Sequence, residues 1–209
     1  DRYAAAHRAA PFTVGTNPDL ASGVGTECGS LLGLDAVAGT FERLAAEVDG
    51  IDPRPVTEEI AWADARITKA CDKYLRRFDP PRVAICAGRS YAMFARELLK
   101  QYLGADIACV AVRNDPDSRN DTVTPTADFS TIRGMIREAE PDLVLGSSYE
   151  RAICSNAAFV GLTPPLRGRV LLSSRAVAGI EGVLWLMDEV LNACINRNRR
   201  PESESTDLS

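Results

Sequence analysis

The sequence predicts an α/β fold: a three-layer, Rossmann-like domain with a four-stranded, mainly parallel sheet, preceded by a helical lead-in. Three observations predict it. Short runs that are apolar throughout, such as Val83–Ala87 and Ile107–Val112, fit strands covered on both faces rather than strands with one face in water. These runs alternate with segments of helical period, the order of right-handed βαβ crossover units. The chain has 209 residues, 45% hydrophobic and 25% charged, the ordinary composition of a soluble globular protein of one or at most two domains.

Residues 1–33 read as an N-terminal segment and loop, since 11–33 are rich in Gly, Pro, Ser and Thr and show no period. Leu34, Val37, Ala38, Phe41, Leu44, Ala45 and Val48 recur at threes and fours, one face of a helix that Gly50 stops. A second helix follows Pro53 and Pro55, with Glu58 and Glu59 suited to its first turn, and ends at Asp79-Pro80-Pro81. These two helices form the lead-in, 34–81. The Rossmann-like domain then spans 82–198. Its strands are expected at Val83–Ala87, Ile107–Val112, Leu143–Leu145 and Val170–Leu172. Its helices are expected from Ser90 to about Tyr102, near Ser130–Ala139, and more weakly over Tyr149–Ala158. The final helix has the clearest pattern, with Ile180, Val183, Leu184, Met187, Val190, Leu191 and Cys194 on the 3.6-residue period. Residues 199–209 form a polar tail.

Charge and motifs narrow the function classes. A net charge of −5 argues against nucleic acid as a partner, because affinity there comes from neutralised phosphates. No apolar run is long enough to span a membrane. Asp1–Ala10 does not read as a signal peptide, so a cytoplasmic, reducing location is expected. There, cysteines are free thiols rather than a disulfide framework. Cys71, Cys86, Cys109 and Cys194 lie on helical faces or in strand-like runs and read as small core residues. Cys28 and Cys154 do not. The first strand is followed by neither a dinucleotide fingerprint nor a Walker A sequence, so NAD and ATP are not expected by those routes. A Ser–His–Asp or Cys–His site would have to use the only histidine, His7, which near the N-terminus reads as exposed rather than catalytic. The acidic segment Arg113–Asp128 lacks the central Gly and terminal Glu of an EF-hand and reads as a solvated loop. Trp62, Trp185 and Tyr102 read as core aromatics.

In sheets of this kind ligands sit beyond the carboxyl ends of the strands. That rule selects Gly88-Arg89-Ser90-Tyr91, Gly146-Ser147-Ser148-Tyr149-Glu150-Arg151, and Ser173-Ser174-Arg175 with Gly179-Ile180-Glu181-Gly182. Each places hydroxyls or an Arg near a helix N-terminus, where backbone N–H groups favour anions. Capping and turn chemistry use the same residue types.

Four pieces in order carry a family resemblance. Gly33-Leu34-Asp35-Ala36-Val37 is similar to a segment reading Gly, Ile or Leu, Asp or Glu, Ala, Thr. Arg82-Val83-Ala84-Ile85-Cys86 resembles a first strand. Pro141 to Tyr149, with Leu145-Gly146-Ser147-Ser148-Tyr149, is similar to a Pro-Asp segment ending Gly-Asn-Ser-Tyr. Gly179-Ile180-Glu181-Gly182 resembles a Gly, aromatic, acid, Gly turn before a long helix. Together, residues 33–198 resemble the C-terminal Rossmann-like portion of the nitrogenase component 1 superfamily. Three loops depart from the pattern. Ser147 replaces Asn, Leu172-Ser173-Ser174-Arg175 replaces Phe-Pro-x-x-Asp-Arg, and Ala87-Gly88-Arg89-Ser90 replaces a Gly-Asp-Pro-Asp loop.

The resemblance implies a multi-subunit, iron–sulfur-dependent oxidoreductase. In it a separate ATP-dependent iron protein donates electrons and this chain pairs with a homologous component 1-like subunit. An iron–sulfur or related metal cluster would sit in the assembled complex, with this chain shaping the cavity. Arg89, Ser90, Ser147, Ser148, Tyr149, Arg151, Arg175 and Glu181 are the expected cofactor-facing residues, and Cys28 the candidate metal ligand. Family subunits are about twice as long, and their cluster cysteines lie in a domain without a counterpart here. Two alternatives therefore stand beside the reductase: an assembly or regulatory component, and a tetrapyrrole or metal-chelate binding module of the same fold.

Overall fold

The structure, a computed structural model, describes residues 11–20, 25–113, 123–154, 156–168, 170 and 176–198. Its central sheet has five parallel strands, one more than the sequence predicts. They are β3 (Arg82–Ala87), β4 (Asp106–Val112), β5 (Val123–Pro125), β6 (Leu143–Gly146) and β7 (Ala158–Gly161), in the spatial order β5-β4-β3-β6-β7. A separate two-stranded parallel sheet, β1 (Phe12–Gly15) with β2 (Thr26–Ser30), occupies the stretch expected to be loop.

The strands alternate their side chains between two apolar layers, which is why they are apolar throughout. Val83 and Ile85 of β3 and Leu143 and Leu145 of β6 enter one core, while Ala84 and Cys86 and Val144 enter the other. β4 keeps this alternation across a register shift between Val83 and Ala84, which leaves Ala108 as the extra residue.

Helices close both layers. The larger core is covered by α1 (Leu34–Glu47), α2 (Arg54–Leu75), α3 (Arg89–Leu103) and α6 (Gly179–Asn198). Leu34, Ala63, Ile67, Cys71 and Tyr74 of α1 and α2 are buried in that same core, so the lead-in helices pack directly on it. The smaller core is covered by α4 (Phe129–Ala139), with Ile132 and Ile136 buried, and by the segment around α5 (Ser148–Arg151). α4 starts where Asp128 accepts from Thr131 N at 2.7 Å, and it ends at Glu140, whose φ of 44° turns the chain.

Three expectations need correcting. The strand after β6 is Ala158–Gly161 and not Val170–Leu172. Val170 is exposed and outside any strand, and Leu171 and Leu172 lie outside the described residues. The helix expected over Tyr149–Ala158 is a single turn, because the chain must re-enter the sheet at Ala158, opposite Leu143. Trp62 is half-exposed on α2 with the Arg66 guanidinium 4.7 Å from its ring centre, so it covers surface rather than core. Trp185 and Tyr102 do pack against the core. Among the described residues no helix is long and apolar enough to cross a membrane.

Candidate functional site

β3 and β6 are adjacent and parallel, so their carboxyl ends open side by side, with β4 beyond β3 and β7 beyond β6. This is the place where a sheet of this type receives ligands. Arg89 and Ser90 begin α3 just after β3, and Ser147, Ser148, Tyr149 and Arg151 follow β6. The sheet therefore brings these residues to one edge of the molecule. Glu181 is exposed in the first turn of α6, whose Gly179 N–H donates to Leu31 O at 2.7 Å. Cys28 lies in β2 of the small sheet, buried, with its thiol 3.7 Å from Thr26 O. Arg175 and His7 lie outside the described residues, as do Asp115, Asp117 and Asp121 of the acidic loop.

The backbone donors expected to receive an anion are already engaged. At α3 the Asp19 carboxylate accepts from Ser90 N at 3.0 Å and from Ser90 Oγ at 2.6 Å. A carboxylate at a helix N-terminus satisfies orphan N–H groups and the helix dipole together. An internal side chain from 71 residues upstream thus fills the position that the sequence assigns to ligand.

At β6 the arrangement is a capping box. Ser147 N and Ser147 Oγ donate to Glu150 Oε2 at 2.8 and 2.7 Å, and Tyr149 N donates to Ser147 Oγ at 3.3 Å. Both Ser147 and Glu150 are fully buried. The second carboxylate oxygen, Glu150 Oε1, forms an ion pair with the Arg113 guanidinium at the end of β4. A buried carboxylate persists only when paired and hydrogen-bonded, and Glu150 is both. Gly146 is part of the fit. A Cβ there would lie 2.9 Å from Glu150 Oε2, so only glycine lets the carboxylate tuck under the strand end.

Arg113 and Asp19 are not among the residues expected at the site, and Glu150, though within the loop selected after β6, is not among the expected cofactor-facing residues. Nothing in the spacing singles out Arg113 or Asp19. Glu150 does carry a signal, the Ser-x-x-Glu spacing from Ser147.

Ser148 and Tyr149 face outward from this framework. Ser148 Oγ donates to Pro165 O at 2.8 Å and accepts the Arg167 N–H. Tyr149 is half-exposed, edge-on to Phe129 at 6.3 Å between ring centres.

Cys86, Cys109 and Cys154 belong to the smaller core, Cys71 and Cys194 to the larger, and Cys28 to the small sheet. Cys71, Cys86, Cys109 and Cys194 are buried in the two cores, as expected. Burial pushes the Cys71 thiol up to about 12 and the Cys109, Cys154 and Cys194 thiols to about 11. Cys86 is pushed up further, by burial first and then by the Glu150 charge. Among the described residues no three His, Cys, Asp or Glu side chains gather in a way that could hold a metal ion.

The fold has solved counterparts. A structure described as nitrogenase Cp1 at pH 6.5 matches with a TM-score of 0.74 and 17% identity, covering 95% of this chain and 47% of that one. Another, nitrogenase Cp1 at pH 5, matches with a TM-score of 0.52 and 13% identity over 85% of this chain and 44% of the other. The chain thus spans about half the length of the first of these, 47%. No curated protein matches. The family described as nitrogenase component 1 type oxidoreductase matches residues 23–195. That span takes in both lead-in helices, all five strands of the central sheet and most of α6, and the chain belongs to the nitrogenase component 1 type oxidoreductase family.

Proposed function

We propose that this chain is a subunit, or one domain of a subunit, of a nitrogenase-like reductase complex. It pairs with a homologous subunit, and the edge formed by the carboxyl ends of β3, β4, β6 and β7 becomes one wall of a cofactor or substrate cavity. A separate ATP-hydrolysing iron protein is the electron donor. The observation that carries this reading is the family match over residues 23–195. A fold shared with an electron-transfer family raises the prior for that chemistry without assigning a site.

An iron–sulfur cluster needs thiolates that converge. The described cysteines do not fit that requirement. They are spread over two cores and the small sheet, and the five with shifted thiols are held protonated by burial. In this reading the cluster thiolates come from the partner subunit or from further residues. This chain supplies shape and charge. The Arg113–Glu150 pair and the Asp19–Ser90 cap fix the strand ends, and Arg89 and Tyr149 are assigned to the cavity side.

The test is co-expression of the full chain with the products of neighbouring genes, followed by iron analysis of what co-purifies. A brown complex containing a second component 1-like chain, reducible by an iron protein with ATP, is the expected result. A chain that captures neither iron nor partner overturns the proposal. The buried, protonated thiols also favour a second reading, an assembly or regulatory component without redox chemistry of its own. That reading predicts a stable pair with the partner chain but no iron in it.

A further inference from the structure

We propose that the crevice between α5, β7 and the last turns of α6 binds a small organic dianion. The crevice has a volume of about 540 Å³, within the range that holds a small molecule. Its lining includes Arg151, Arg167 and Arg197 and, among the described residues, no Asp or Glu.

The three arginines are not equivalent. Arg197 is spent: its Nη2 pairs with Asp142 at 2.8 Å and its Nε donates to Asn156 O at 3.0 Å. Arg151 and Arg167 form no salt bridge with a carboxylate among the described residues. Each guanidinium instead lies over an aromatic ring, Arg151 5.9 Å from the centre of Phe159 and Arg167 5.8 Å from the centre of Tyr149. A ring face orients a guanidinium while leaving its in-plane N–H groups free to donate. Two such forks on one crevice suit two acidic groups of one ligand.

The two forks are held on one unit. Arg151 ends α5. The Arg167 N–H donates to Ser148 Oγ at the start of α5, and Ser148 N donates to Pro165 O at 2.8 Å. The segment carrying Arg167 is therefore tied to the helix carrying Arg151, and Leu166 is seated against Gly161 of β7, where a Cβ would come within 2.6 Å of it. Preorganisation of this kind lowers the ordering cost of binding. Cys154, also in the lining, keeps its thiol neutral and does not repel an anion.

The inference is independent of the reductase reading, since a chain that takes up no iron can still bind the dianion, and the reverse. The test is isothermal titration of the full chain at low ionic strength with succinate and, separately, with phenyl phosphate, against sodium chloride at matched ionic strength. Saturable binding of at least one is expected. Succinate alone identifies a dicarboxylate, and phenyl phosphate alone a phosphomonoester. The R151Q/R167Q variant should bind about tenfold or more weakly, and R167Q alone should lose part of that. R137Q, an exposed arginine on α4 outside the crevice, should bind like the parent. Circular dichroism checks that each variant is folded. Absence of saturable binding by either compound, or an equal loss in R137Q, overturns the proposal.

Discussion

Arg113 and Glu150 form an ion pair in which the carboxylate is wholly buried while the Arg113 side chain keeps 25% of its surface in water. The pair joins the end of β4 to the turn after β6, across β3. The asymmetry in exposure decides what each substitution does. Arg113→Met strands a buried negative charge and should cost about 3–5 kcal/mol. Glu150→Gln leaves Arg113 within reach of water and keeps an oxygen for Ser147, so it should cost clearly less. The double variant should be more stable than Arg113→Met alone. Urea denaturation of the three variants measures this, and equal small losses for both single changes would refute the buried-charge account.

Asp19 caps α3 from 71 residues away, so the N-terminal segment and the sheet are mechanically coupled there. Asp19→Ala removes an acceptor for Ser90 N and Oγ. Loss of a good cap costs about 0.5–2 kcal/mol. Hydrogen exchange should show the first turn of α3 opening faster in this variant, with α6 unaffected. Uniform acceleration in both helices would mean that the cap is not local.

The reach of sequence reasoning follows from element length. α6 is legible because four turns of regular period are buried against the core, and β3, β4 and β6 because both faces are covered. β5 has three residues, Val123–Pro125, too few to show a pattern at the edge of a polar loop. β7 is four residues, Ala158-Phe159-Val160-Gly161, which also continue a helical period from Tyr149. Length alone could not separate the two. At the site, the strand ends and their Ser and Arg residues were foreseeable from topology. The groups that engage Ser90 and Glu150 were not, since Asp19 is distant in sequence and Arg113 looks like any loop residue. Only the Ser147–Glu150 spacing announced itself.

The turn before α6 separates two roles for glycine. Gly179 has a φ of 73°, with open space around its Cα. At Gly182 a Cβ would lie 2.8 Å from Ala176 O and from Val177 C, both main-chain atoms that cannot move aside. Gly179→Ala should therefore cost about 1–2 kcal/mol through backbone strain, and Gly182→Ala about 1–3 kcal/mol or more through overpacking. Gly134 is the contrast. It lies within α4 with nothing within 4 Å of a Cβ, so Gly134→Ala should stabilise by about 0.4–1 kcal/mol. Thermal melts rank the three, and a neutral Gly182→Ala would contradict the close approach.

Asp128 gives the fold a specific acid limb. Hydrogen bonds from the Thr131 hydroxyl and the Thr131 N–H hold its carboxyl below the usual carboxylate value of 3.8. A depressed value means that the unfolded chain binds the proton more readily than the folded one. The stabilisation is therefore present above the ordinary carboxylate range and is lost as pH falls through the lowered value. Asp128→Asn keeps a capping oxygen but removes the charge. Its stability should be flatter with pH below about 4 than that of the parent. Chemical denaturation at pH 3 and pH 6 tests this, and identical pH slopes would show that the cap is not linked to titration.

Alkylation proceeds through the thiolate, so a thiol pushed up by burial reacts slowly for two reasons, access and ionisation. Cys154 is only half-buried, whereas Cys71, Cys86, Cys109 and Cys194 are buried in the cores. In the folded chain at pH 8, iodoacetamide should modify Cys154 first among these five, and Cys86 last because burial and the nearby Glu150 charge act together. In urea all six cysteines should react at similar rates. Site-resolved mass spectrometry gives the order. Early modification of Cys86 in the folded chain would show that the core face of β3 opens far more readily than its burial implies.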